Sequence, residues 1–275
     1  MRATELFVEE LARPEAAVRL DRACLLVAAH ARPEADPEQL VAAGRHGLDQ
    51  LAVGCPVGDL LALRSHLFDR LGFRGNRVAY DDPRNSLLDE VLARRTGIPI
   101  TLSVVAMEVG RRAEVELVGV GLPGHFLLSA GRGRYLDAFD AGRLLDQDGA
   151  RHRFAELAGW DAPWSEELLA PVGAYAIVAR VLANLRRIYA ERRDLRGVEW
   201  VLRLRRAVPG VPAGEAVALA NVLEALGRYD EAARELERLA AAWADGGGHP
   251  SARPAPGEQT DGLRGRAAGL RARLN

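Results

Sequence analysis

Apolar positions along residues 1–75 recur at helical spacing, and the segment reads as a run of helices. The stretch 14–31 opens on Pro14, a residue suited to a first helical turn. Asp36 before Pro37 supplies a cap for a second helix, and residues 57–73 form another amphipathic stretch. Residues 75–86 are rich in turn formers. A short helix follows and stops at Gly97; a longer one starts at Pro99, with Leu102, Val105 and Val109 on one face. The texture changes near residue 115, where short β-rich runs split by glycines predict strands. Residues 151–160 return to a helical pattern, and from about 171 the chain reads helix–turn–helix with arginine-coated outer faces.

Within that last region, residues 220–243 resemble a tetratricopeptide repeat around Leu226, Gly227, Tyr229, Ala232 and Leu236. Residues 183–210 resemble a degenerate first unit. Two such repeats are too few for a free solenoid, so they are expected to pack on the preceding domain. Residues 246–262 read as a Pro/Gly-rich mobile linker. The end of the chain carries four arginines and no acid, with Leu263, Ala267, Leu270 and Leu274 on one helical face. That face suits an acidic partner or a membrane surface, but a frayed or self-docked tail is the simpler reading, since glycines weaken the helix.

Composition removes whole classes of chemistry. All 37 basic residues are arginine, which excludes a Schiff-base lysine and a phosphate-binding lysine. Codon bias in a GC-rich genome accounts for the bias. The only cysteines are Cys24 and Cys55, so neither a disulfide framework nor a thiolate zinc site is expected. The six histidines lack ligand-like spacing; no metal and no cofactor are expected. A net charge of −1 gives no general attraction to nucleic acid, so the arginine-rich run 192–206 reads as a solvated helix face. Trp160, Trp164, Trp200 and Trp243 read as packing residues in helical segments. No apolar run reaches the ~18 residues of a membrane span, and the acidic start is unlike a signal peptide; the expectation is a cytoplasmic protein.

The candidate chemistry lies at residues 123–139. Pro123-Gly124 opens a hairpin and residues 130–134 close it. A turn centred on Gly131 would pair Ser129 with Gly133, Leu127 with Tyr135, and His125 with Asp137. Directly opposed residues bring Cβ atoms within about 5 Å, close enough for a carboxylate to orient an imidazole. A nucleophile at a helix start would complete a triad. The helix after Gly97 offers only Thr101 and Ser103 there. Asn85-Ser86 reads either as a helix cap or, through Asn85, as an amide donor lining a cleft.

Three blocks, residues 81–112, 119–128 and 135–145, together resemble the bacterial transglutaminase-like proteins with C-terminal tetratricopeptide helices, the Sir-B-type invasion-regulator family. The resemblance spans roughly residues 30–245. It implies an α+β, papain-like fold: a helical front, a central helix, and a small antiparallel sheet carrying His and Asp. His125 and Asp137 take the positions of the family's His and Asp. The family's cysteine falls near Pro99 to Thr101, where this chain has none.

The resulting expectation is a transglutaminase-like domain over 1–165, a tetratricopeptide-like helical domain over 166–245, and a linker and basic tail over 246–275. Two functions remain open. One is a pseudoenzyme, a scaffold or regulator whose groove, with Asn85, Pro123 and Gly124, binds a peptide or protein. The other is a hydrolase or acyl/amide transferase, with His125 as base, Asp137 as its orienter, and Thr101, Ser103 or water attacking.

Overall fold

The computed structural model describes residues 2–244 and 258–273. The chain forms two compact units, Met1–Val181 and Leu182–Asn275.

The first unit opens with helices α1 (Arg2–Leu11), α2 (Leu20–His30) and α3 (Pro37–Ala52). The single helix expected over 14–31 is interrupted. Residues 15–17 form one 3-10 turn, and Val18 and Arg19 are extended. The buried Glu10 carboxylate accepts the Arg19 N–H at 2.7 Å and pairs with the Arg19 guanidinium at 2.9 Å, which fixes the chain outside the helix before α2 begins. Asp36 caps α3 as expected, accepting from the Glu38 N–H at 3.0 Å. Next come α4 (Leu60–Arg64), which runs on as a π turn over 65–70, then α5 (Leu88–Arg94) and α6 (Pro99–Arg112). α6 is well enclosed: Leu102, Val104, Val105 and Val109 are each at most 1% exposed.

Two short strands, β1 (Arg74–Gly75) and β2 (Thr96–Gly97), pair in parallel just before α6. Gly75 is required by space. A Cβ there would lie 2.4 Å from the Phe139 ring and 2.6 Å from the Phe139 carbonyl oxygen.

The main sheet is β3 (Val118–Val120), β4 (Leu127–Ser129), β5 (Tyr135–Asp137), β6 (Arg143–Leu145) and β7 (Pro171–Val172), in the order β6-β5-β4-β3-β7, all antiparallel. Strand alternation splits its residues between two faces. Val120, Leu127 and Tyr135 pack with Ala150 and Phe154 of helix α7 (Gln147–Ala158). α6 lies against β4. α7 ends at Gly159, so Trp160 and Trp164, expected in helices, lie in the loop beyond it.

The change of unit falls later than residue 165. β7 pairs with Gly119 and Val120 and so closes the sheet of the first unit, and the division falls inside helix α8 (Ala174–Glu191).

The second unit continues with α9 (Leu195–Ala207), α10 (Gly214–Ala225), α11 (Tyr229–Ala244) and α12 (Glu258–Ala272). α10 and α11 are joined by a tight turn in which Gly227, at φ 74°, lets the Arg228 N–H reach the Leu223 carbonyl at 2.8 Å. Most of the expected linker, 246–257, lies outside the described residues, but 258–262 are the start of α12. The basic tail is docked: Ala267 and Leu270 are at most 3% exposed in one cluster with Leu223 and Leu236.

Candidate functional site

Pro123 and Gly124 form the corner that presents His125. The His125 N–H donates to the Leu122 carbonyl at 3.1 Å across them, and Gly124 has φ 74°. Pro followed by a positive-φ glycine is the signature of a type II turn. Arg180 of α8 secures this corner: its Nη2 donates to the carbonyls of Leu122 at 2.7 Å and His125 at 2.6 Å. The guanidinium also lies over the Phe126 ring. Burial pulls the Arg180 pKa below its ordinary value.

The hairpin register differs from the expected one. Ser129 pairs with Tyr135 and Leu128 with Leu136, so the loop centres on Arg132. Gly131, Arg132 and Gly133 all have positive φ, at 72°, 53° and 69°. Leu127, not His125, therefore falls opposite Asp137. The shift is by two residues, which preserves the face of every side chain. His125 thus still reaches Asp137 from the diagonal position, with Nε2 2.9 Å from Oδ2.

Asp137 is 0% exposed and heavily constrained. Its Oδ1 accepts the backbone N–H groups of Phe139 and Asp140, each at 3.1 Å. Its Oδ2 lies 3.1 Å from Arg153 Nε of α7. Burial opposes its ionisation, but the His125 hydrogen bond and charge, Arg153 and the backbone N–H of Asp140 together hold its carboxyl below the usual range. An ionised carboxylate only accepts, so in this contact His125 Nε2 is the donor. Among the described residues, Nδ1 takes no hydrogen bond.

Phe139 packs beside this pair. Its ring meets the rings of His125 and Tyr80 edge-on, with centroids 6.2 and 5.9 Å apart. Arg77 lies over it at 5.0 Å and pairs with Asp140 at 2.8 Å.

The hydroxyls are placed differently. Thr101 Oγ1 donates to the Asn85 carbonyl at 2.6 Å and accepts the Ile98 N–H at 3.2 Å. It closes the first turn of α6. Ser103 Oγ is fully buried and has no hydrogen-bond partner. Neither hydroxyl bonds to His125.

Asn85 is not the cleft donor that its sequence position allows. Its Nδ2 donates to the carbonyls of Ala79 at 2.7 Å and Tyr80 at 3.1 Å, and its Oδ1 accepts from Asn76 and Arg94, both at 3.1 Å. Both amide hydrogens are used to hold the loop that carries Tyr80. Neither Asn85 nor Ser86 stands at the N-cap position of α5, which Leu87 takes. They lie in a 3-10 turn over 83–86, and Asp82 caps that turn by accepting the Arg84 N–H at 3.0 Å.

Both thiols lie elsewhere. Cys24 is 3% exposed in α2, where burial pushes its pKa up and Glu108 and Asp21 add to the effect. Burial also raises Cys55, in the turn after α3. Among the described residues, no cluster of His, Cys, Asp or Glu could hold a metal ion, and no helix is long and apolar enough to cross a membrane.

Arg153, Arg180, Phe139 and Tyr80 carried no sequence signal as site residues. Each acts through a tertiary contact with a segment distant in the chain. Only Phe139 and Tyr80 lie inside the resemblance blocks or beside them, and there the hydrophobic pattern does not separate them from core residues.

The chain is similar to the UPF0162 protein of Xylella fastidiosa strain Temecula1, at 39% identity over 56% of this chain and 57% of that protein. A UPF0162 protein of Pseudomonas aeruginosa is 36% identical over 39% of this chain and 40% of its own length. F-box only protein 21 of Mus musculus is 43% identical over 30% of this chain, but that is 15% of the mouse protein. The chain thus spans little more than half the length of the first of these relatives. No solved structure matches it significantly. The family model described as the transglutaminase-like superfamily matches residues 15–183, which include α6, the main sheet, His125 and Asp137. The chain belongs to the transglutaminase-like superfamily.

Proposed function

We propose that this protein is a transglutaminase-like domain without thiol chemistry, acting as a peptide- or protein-binding scaffold or regulator. One observation carries the reading. The start of α6, where the family resemblance puts the nucleophile, has Pro99, Ile100 and Thr101, and the Thr101 hydroxyl is committed to the Asn85 carbonyl at 2.6 Å. An attacking hydroxyl would need His125 within hydrogen-bonding distance. The helices of the second unit supply a further protein-binding surface in this reading, as tetratricopeptide-like repeats of the Sir-B type, and the setting is a bacterial cytoplasm.

The second reading, a hydrolase or acyl/amide transferase, is favoured by the His125–Asp137 pair itself. His125 Nδ1 is the nitrogen that could take a proton from water. An electrophilic acyl probe and a chromogenic peptide ester separate the readings. The scaffold reading expects no labelling and no turnover above a boiled control. Labelling or hydrolysis that His125→Ala and Asp137→Asn both abolish, in chains that still melt cooperatively, would overturn it.

A further inference from the structure

Arg180 carries a charge that the first unit leaves unmatched. Among the described residues, every other arginine that is not exposed pairs with a carboxylate. Arg180 is half-buried on α8, and no carboxylate is among the groups that act on its charge. Its Nη2 is used twice, on the Leu122 and His125 carbonyls at 2.7 and 2.6 Å. Its Nε and Nη1 donate to nothing among the described residues. A cation taken partly out of water without a counter-ion is costly. Burial works against the charge, and the one group that favours it is Tyr80, whose phenol is neutral at pH 7.

The fold keeps the space beside Nη1 clear. Gly121 follows the last residue of β3, and its φ is not positive, so the backbone does not demand glycine there. A Cβ at Gly121 would stand 3.3 Å from Arg180 Nη1. Glycine thus leaves uncovered the nitrogen that has no partner.

One unmatched positive charge calls for one negative charge. Arg77 and Arg153, the other arginines at the site, are already matched by Asp140 and Asp137, which disfavours a dianionic phosphate. A carboxylate fits, because a guanidinium donating to a carboxylate makes one of the strong hydrogen bonds. The net charge of the chain is −1, so any attraction for an anion here is local. The place is the corner that carries His125, whose carbonyl the same guanidinium holds.

We propose that Arg180 anchors a carboxylate of a peptide bound at the His125 site, through Nη1 beside Gly121. This assignment rests on the peptide-binding reading above and adds to it the chemical class of the ligand.

Two pools of acetylated tetrapeptides of random sequence test it, one ending in a free carboxylate and one in an amide. Each is passed over the immobilised full chain, and the retained peptides are identified by mass. Peptides with a carboxylate should be retained roughly tenfold over those with none. Retention across the free-acid pool assigns the anchor to a chain terminus; retention of Asp and Glu peptides from the amide pool assigns it to a side chain. Arg180→Gln should abolish the preference. Gly121→Ala should reduce it severalfold with hydrogen exchange at residues 122–126 unchanged, which separates access to Nη1 from support of the corner. A preference that survives both changes, or no preference at all, overturns the anchor. If peptides without any acid are retained as well as the rest, peptide binding stands and the anchor alone falls. Inorganic phosphate that displaces bound peptide at a lower concentration than acetate does assigns the site to phosphate groups and overturns the carboxylate. Peptides cleaved during passage overturn the scaffold reading and leave the anchor in place.

Discussion

His125 Nε2 and Asp137 Oδ2 are 2.9 Å apart, although the β4–β5 register puts Leu127, not His125, across from Asp137. The contact is diagonal and is made from a turn, so it depends on what holds that turn and what aims the carboxylate.

Asp137→Asn tests the aim. The substitution keeps the acceptor for the Phe139 and Asp140 N–H groups but sets an amide against the His125 N–H and removes the charge beside Arg153. Leaving buried polar groups mismatched costs about 1–3 kcal/mol. The expected result is an unfolding free energy lowered by that amount in chemical denaturation at neutral pH.

The same carboxylate gives a pH dependence. Its folded pKa is depressed, so its contribution to stability is fully present above the unfolded value of about 3.9 and drains as pH falls through the lower folded value. Stability of the Asp137→Asn chain should therefore converge with that of the parent at low pH. Urea melts between pH 7 and about pH 2 check this, and a gap that stays constant would contradict the assignment.

Arg180→Ala tests the support. Removing it leaves the Leu122 and His125 carbonyls without their shared donor, at about 1–3 kcal/mol. Hydrogen exchange at residues 122–126 should rise, with α2 and α3 unaffected.

Thr101 and Ser103 should part company. Thr101→Val strands the Ile98 N–H and the Asn85 carbonyl and should cost about 1–3 kcal/mol, whereas Thr101→Ser should cost well under half of that. Ser103→Ala removes a buried hydroxyl that has no partner, and should be neutral or stabilising. Thermal melts rank the three.

Gly75→Ala should destabilise by about 1–3 kcal/mol through overpacking. Phe139→Leu should relieve only part of it, because the Phe139 carbonyl oxygen, 2.6 Å from the added carbon, stays in place.

The His125–Asp137 pair was legible in the sequence because strand alternation has period two. An error of one residue in the loop centre moved the register by two, and both side chains kept their face. The α+β order of helices, small sheet and helices was legible for the same reason: periodicity survives small errors of boundary. β7 was not, since two residues carry no period. The break at Val18 and Arg19 was hidden because its cause, Glu10, lies in another helix. Asn85 suited either a cap or a cleft, and the deciding contacts, to Asn76, Ala79, Tyr80 and Arg94, are set by how a loop folds back over it.

Asp137 is held by Phe139, Asp140 and Arg153, and the start of α6 is held by Asn85, Ile98 and Thr101. The two sets share no residue. Whatever stands at the helix start can therefore be exchanged without disturbing the aim of the imidazole. In evolutionary terms, the two sets of contacts are separate modules that can vary one position at a time.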